Sequence, residues 1–317
     1  MDTSHVLYGF TDLKNLDSHG PIVLNKAKGA YVYDTNGKKY FDGNSGLWNS
    51  VVGFDHPKMI ATAQKQYQEL SGYHSLFGRI TEPAINLTNK LIEVSPFDEG
   101  KVFFTNSGSE ANDTAVKLLW FMNSHKGMPK KRKIITRYNS YHGVTVGAAS
   151  MTGKPYNDVF GLPLPDFIRS ACPHYWKFGN EGESEESFSL RMAQDLEDVI
   201  EKEGAETIAG FFAEPVMGAG GVIPPSKDYF KLIQPILKKH NIPLIADEVI
   251  CGFGRTGNLW GSITYDIKPD MIIASKCITS GFFPLGAVIT GEEITKELIE
   301  ASYAAEEFPH GFTAGGH

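Results

Sequence analysis

Ile242-Pro243-Leu244-Ile245-Ala246-Asp247 and Asp270-Met271-Ile272-Ile273-Ala274-Ser275-Lys276 are two short apolar runs, each closing on a charged residue. Runs this short, apolar throughout instead of alternating, read as strands buried on both faces of a parallel sheet. Lys101–Phe104, Lys133–Thr136, Ile208–Ala213 and Gly286–Thr290 are of the same kind. Helical patterns separate them, from Ser107 to about Met122, over Glu186–Lys202 and over Asp228–His240. This alternation predicts an α/β fold, a mostly parallel sheet with helices on both faces. Ligands gather at the carboxyl ends of such strands, which makes Asp247 and Lys276 candidate site residues.

The beginning of the chain reads differently. Gly29–Asp34 and Lys39–Asp42 alternate around Thr35-Asn36-Gly37, a strong hairpin signal. Pro57–Leu70 reads as a helix with proline in its first turn. This stretch predicts a smaller α+β unit beside the main sheet.

Composition narrows the function. The 317 residues carry 30 Lys+Arg against 37 Asp+Glu, a net charge of −7, which argues against nucleic acid as a partner. The basic run Lys126–Lys133 is broken by Gly127, Met128 and Pro129 and reads as a solvated loop. Cys172, Cys251 and Cys277 are odd in number, far apart and without a CxxC pair. Neither a disulfide framework nor a metal site is expected, and a reducing compartment fits best. Met1–Phe10 holds Asp2 and no apolar run, and no stretch reaches the ~18 apolar residues of a membrane span. No membrane partner and a cytoplasmic location are expected.

Four features look chemical. Thr105-Asn106-Ser107-Gly108-Ser109-Glu110-Ala111-Asn112 takes a strand through small residues into a helix, which presents free N–H groups and hydroxyls to an anion; the plain alternative is an ordinary helix cap at Ser107 or Ser109. Tyr141-His142-Gly143 follows another strand and offers an aromatic face to a flat ring, or a tyrosine packed under a loop. Asp247 suits a pyridinium nitrogen, although an aspartate after a strand is also a common cap or ion-pair partner. Lys276, desolvated at a strand end, suits attack on an aldehyde; alone, it also reads as a lysine snorkelling from the sheet. All four in this order, each after its own strand, are hard to obtain by chance.

Taken together these residues resemble the class III (ω-type) aminotransferases, enzymes of pyridoxal-5′-phosphate (PLP) fold type I. The likeness runs from the Gly29 hairpin to His317. It is most specific in Ala246-Asp-Glu-Val249, Gly252-Phe-Gly-Arg-Thr-Gly257, Lys276, Ser280-Gly281 and Pro284-Leu-Gly-Ala287. The resemblance implies a seven-stranded-type sheet and a large PLP-binding domain over 71–317, with 1–70 as the N-terminal part of a small domain. It implies catalytic roles for Lys276, as the Schiff-base lysine and proton shuttle, and for Asp247, opposite the pyridine nitrogen. Ser107, Gly108 and Ser109 would take the phosphate, Tyr141 would stack on the ring with His142 beside it, and Val249 would cover the other face. Glu214 resembles the acid that faces a substrate-binding arginine. Thr313 would reach the phosphate of a neighbouring subunit, which implies a homodimer with sites at the interface. Leu47 and Trp48 resemble the substrate-pocket segment of amine- and β-alanine-type members; Trp48 as a core anchor of the small domain is the alternative. Cys277 is expected to be a packing residue.

The implied reaction moves an amino group from a primary amine or ω-amino acid to a keto acid, with pyruvate the expected acceptor. An aminomutase or decarboxylase on the same scaffold, and a truncated non-catalytic relative, are the competing readings. A nicotinamide dehydrogenase fits poorly: Gly218-Ala219-Gly220-Gly221 does not complete GxGxxG and leads into Val222-Ile223-Pro224-Pro225. The ending within Gly311-Phe312-Thr313-Ala314-Gly315-Gly316-His317 reads as the start of a loop. On the family pattern, a segment completing the small domain and carrying a carboxylate-binding arginine is expected beyond it.

Overall fold

A computed structural model describes residues 2–317; of the Met1–Phe10 stretch, only Met1 lies outside the described residues. Three strands, β1 (Leu24–Lys28), β2 (Tyr31–Asp34) and β3 (Lys39–Phe41), form an antiparallel sheet in the order β1-β2-β3. The Asp34 carboxylate closes the hairpin between β2 and β3, accepting from the Asn36 and Lys38 amides at 2.9 Å each and from Tyr40 Oη at 2.9 Å. The predicted helix follows at Pro57–Glu69.

The main sheet has seven strands: β4 (Lys101–Thr105), β5 (Lys133–Arg137), β6 (Phe167–Ser170), β7 (Ile208–Ala213), β8 (Leu244–Asp247), β9 (Met271–Ala274) and β10 (Gly286–Thr290). Their order is β4-β10-β9-β8-β7-β5-β6, and β10 alone runs antiparallel to both its neighbours. Two strands escape the sequence reading. β1 is mostly exposed, and β6 is a four-residue edge strand containing Arg169. Asp247 is the last residue of β8 and not the residue after it.

The core follows from the period of two along each strand. Phe212, Ile245 and Ile273 point to one face, where they meet Leu119 and Met122 of the Gly108–His125 helix. That helix runs one turn past the expected Met122. Phe211 and Leu244 point the other way, onto Phe188 and Leu196 of the Glu185–Glu203 helix and Ile233 of the Tyr229–Lys239 helix. Every residue of β7, β8, β9 and β10 is buried, as continuous apolar runs require. β4 runs with the parallel strands, so the carboxyl ends of β4, β9, β8, β7 and β5 open on one side of the sheet. Among the described residues, no helix is long and apolar enough to cross a membrane, and no cluster of His, Cys, Asp or Glu is fit to hold a metal.

Candidate active site

Five strand ends feed one cleft of about 350 Å³. From β4 come Ser107, Gly108 and Ser109; from β5, Tyr141 and His142; from β7, Glu214; from β8, Asp247 and Val249; from β9, Lys276.

The anion cradle forms because Ser107 is extended (φ −156°) and its hydroxyl accepts from the Glu110 amide at 3.2 Å, capping an 18-residue helix. Gly108 and Ser109 stand in the first turn, where amides lack intrahelical acceptors and the helix dipole favours negative charge. Gly108 leaves room for Val249. A Cβ there would come within 2.9 Å of Val249. Ser109 Oγ accepts from the Val144 amide at 3.1 Å, which ties the cradle to the Tyr141 loop.

The floor is an aspartate in a network. Asp247 is 3% exposed; its Oδ2 lies 2.7 Å from His142 Nδ1 and accepts from Asn112 Nδ2 at 2.9 Å, and its Oδ1 accepts from the Val249 amide at 3.1 Å. Asn112 Nδ2 also reaches the carbonyls of His142 and Gly108. Sequence reasoning gave Asn112 no role. The available signal was its spacing of four from Gly108, which puts it one helical turn behind the cradle.

Glu214 is 2% exposed, and both its carboxylate oxygens are occupied: Oε1 accepts from the Tyr141 amide at 2.9 Å and Oε2 from the Gly218 amide at 2.8 Å. Its carbonyl accepts from the buried Arg137 at 2.6 Å. Here it fixes the loop bearing Tyr141. Burial raises the Glu214 carboxyl above the usual range, with the His142 side chain pulling it back down and Asp247 adding to the rise. Burial also raises the Tyr141 phenol, and Asp247 and Glu214 add to it.

Lys276 opens a 3₁₀ turn (Lys276–Thr279) with a left-handed φ of 48°, a conformation that non-glycine residues hold mainly where function or packing demands it. Burial lowers its ammonium below the usual lysine value, against the opposing pull of Asp247. A half-buried amine whose charged form is disfavoured is suited to attack on a carbonyl.

Three predicted residues stand outside this cleft. Thr313 is exposed in the Thr313–Gly316 turn. Leu47 is 64% exposed, and Trp48 is half-buried and belongs to none of the core clusters among the described residues. Asn49, which the sequence reading passed over, lines the cleft in their place. Cys277 is buried, as a packing residue should be. The glycines at 218–221 form a tight turn, Gly221 donating to the Gly218 carbonyl at 3.1 Å, and not the start of a helix.

The residues present fit pyridoxal phosphate. A phosphate suits the helix start, and a flat ring suits the space between the strand ends. Asp247 is a buried carboxylate whose side-chain partners among the described residues are His142 and Asn112, so a ring cation would complete its charge.

The comparisons agree with the cleft. The model of the family "Aminotransferase class-III" matches residues 14–317. A crystal structure titled as the PMP-bound form of an aminotransferase from Vibrio fluvialis superposes with a TM-score of 0.97 at 62% identity, covering 99% of this chain and 69% of that one. An omega-aminotransferase from Paracoccus denitrificans gives 0.98 at 61% identity, covering 99% and 70%. Gamma aminobutyrate transaminase 3, chloroplastic, of Solanum lycopersicum is 50% identical over 299 residues, 94% of this chain and 58% of that protein. The chain thus spans somewhat under two thirds of the length of that curated relative. Its fold is that of the type I PLP enzymes. On sequence and structure alike, over nearly its whole length, the chain belongs to the class-III aminotransferase family.

Proposed function

We propose that this chain belongs to a transaminase that moves an amino group from a primary amine or ω-amino acid to a keto acid, with pyruvate as the acceptor. One observation carries the reading: Lys276, its ammonium disfavoured by burial, shares a cleft with a buried Asp247–His142–Asn112 network and a helix-start anion cradle. When bound, pyridoxal phosphate supplies an aldehyde and an electron-withdrawing ring. Lys276 Nζ would hold that aldehyde and is the group placed to take up a proton at Nζ and return it. Asp247 would hold the ring nitrogen protonated, and His142 and Asn112 keep its carboxylate oriented. Gly108 and Ser109 would bind the phosphate, helped by Ser107. Tyr141 and Val249 would cover opposite faces of the ring, and Glu214 fixes the Tyr141 loop.

Residues 1–70 are the N-terminal part of a small domain and 71–317 the large domain, with Leu47 and Trp48 at the substrate side. The active form is a homodimer. Thr313, exposed and away from its own chain's cleft, supports this by being free to serve a second copy, and Val144 and Val146, 57% and 63% exposed, offer apolar surface beside the cleft loop. Three free, buried cysteines suit the reducing cytoplasm.

The test is Lys276→Ala in the holoenzyme, assayed for alanine formation from an amine and pyruvate. Turnover and the visible absorbance of the bound cofactor should both vanish; a variant that keeps full turnover refutes the assignment.

A further inference from the structure

The turn that carries Lys276 is pinned to a segment more than 220 residues earlier in the chain. Ser280 Oγ accepts from two successive amides, Val51 at 2.9 Å and Val52 at 3.0 Å. Arg255, from a different loop, donates through Nη2 to the Trp48 carbonyl at 2.8 Å and to Cys277 Sγ at 3.4 Å, while its Nε holds the Ile250 carbonyl at 2.7 Å. Cys277 Sγ itself lies 3.5 Å from the Trp48 carbonyl. Between these ties, Gly281 leaves room for the Asn49 amide, which would stand 2.8 Å from a Cβ at that position.

Two observations separate this arrangement from ordinary loop packing. Arg255 has no carboxylate partner among the described residues, so its guanidinium is committed to neutral acceptors on both sides of the contact. Its planar fork can bridge two chain segments in a way a lysine cannot. Non-glycine residues on both sides also hold left-handed backbone, Ser45 (φ 54°) and Trp48 (φ 58°) on one, Lys276 (φ 48°) and Ser280 (φ 52°) on the other. Surroundings must over-determine such conformations for them to persist.

We propose that Arg255 and Ser280 are positioning residues that latch segment 45–52 onto the Lys276 turn, and so fix the Asn49 wall of the cleft and the size of amine it admits. Neither side chain touches the reacting atoms in this scheme. Asn49 lines the cleft, and the latch sets how far it stands from Lys276. Loosening the latch widens the pocket: a slim amine loses its fit while a bulky one gains room. The inference rests on the reading of the cleft as an amine-binding site.

The experiment compares kcat/KM for 2-aminobutane and for 1-phenylbutylamine, with pyruvate as acceptor, in the wild-type holoenzyme and in Arg255→Ala and Ser280→Ala. The slim-over-bulky ratio should fall roughly tenfold in each variant, the scale of losing a charge-assisted or doubly used hydrogen bond. The change should appear mainly in KM, with the visible absorbance of the bound cofactor retained. A ratio is independent of the fraction of enzyme that folds, so a purely structural role leaves it unmoved. Wild-type turnover with the ratio within about twofold in both variants, far below that scale, overturns the latch alone. A wild-type holoenzyme that forms no alanine from either amine overturns the reading of the cleft and the latch with it.

Discussion

The seven-stranded sheet and the N-terminal segment are built on opposite terms. In β7 to β10 every residue is buried, and helices cover both faces. In residues 2–70 Asp34 is the one buried residue, and the helix Pro57–Glu69 buries none. The first region carries its own hydrophobic core; the second is held by hydrogen bonds within its hairpin and by contacts to Arg255, Cys277 and Ser280. The cleft therefore has a rigid floor, set by strand ends, and a wall lent by a segment with little apolar burial of its own. Precise chemistry sits on the floor, where geometry is over-determined. Adjustable fit belongs to the wall.

The sharpest way to break this contrast is Phe212→Ala in β7. Phe212 is fully buried in the central cluster, and its loss should cost about 3–5 kcal/mol, read as an earlier cooperative denaturant transition. A variant that unfolds no earlier than wild type would mean the sheet is not the stability core. Next, Asp247→Asn keeps the shape of the floor and removes its charge. Turnover should fall roughly 10²–10³-fold with the melting temperature nearly unchanged; loss of folding instead would make Asp247 a structural residue.

Lys276→Met addresses the strain stored in the floor. Burial holds the folded-state lysine below its unfolded value of 10.5, so the folded state binds that proton less tightly than the unfolded one. The penalty is complete below the folded-state value and is relieved as pH rises toward 10.5. The cofactor-free variant should therefore be more stable than wild type at pH 7 by roughly 0.5–2 kcal/mol, and the gap should close in alkaline melts. A gap that widens with pH reverses the sign and the argument. The smallest effect belongs to the N-terminal sheet. Val32→Ala, half-buried in β2, should shift stability by less than ~1 kcal/mol, while limited proteolysis of wild type should cut within residues 2–56 before it touches β4 to β10. Equal cutting of both regions would erase the distinction.

Much of this was legible from sequence, and the limits are physical. Six strands of the main sheet announce themselves because a strand buried on both faces must be apolar at every position. β6 does not, being short, at the edge and interrupted by Arg169. β1 does not, because Lys26 and Lys28 face solvent with most of their neighbours. Nothing in Gly286–Thr290 marks it as the one antiparallel strand, since buried strands of either direction carry the same residues. Ser107, Tyr141, Asp247 and Lys276 could be found because each follows or ends a strand, and strand ends converge by topology. Asn112 left only its spacing of four from Gly108 as a signal, its Asp247 partner being 135 residues away, and Arg255 left none, its Trp48 partner being 207 residues away.

The opening pair of runs thus determined a good deal by itself. Two apolar strands ending in Asp247 and Lys276 fix an α/β sheet and place an acid and an amine at its ligand-binding edge, because local burial pattern and chain order are properties of the sequence. What only the tertiary structure decided is how those ends are held: the His142–Asp247–Asn112 network, the Glu214 grip on the Tyr141 loop, and the tie between Ser280 and the amides of Val51 and Val52. Hydrogen bonds between segments far apart in sequence depend on distances to within half an ångström, and no periodicity along the chain encodes them.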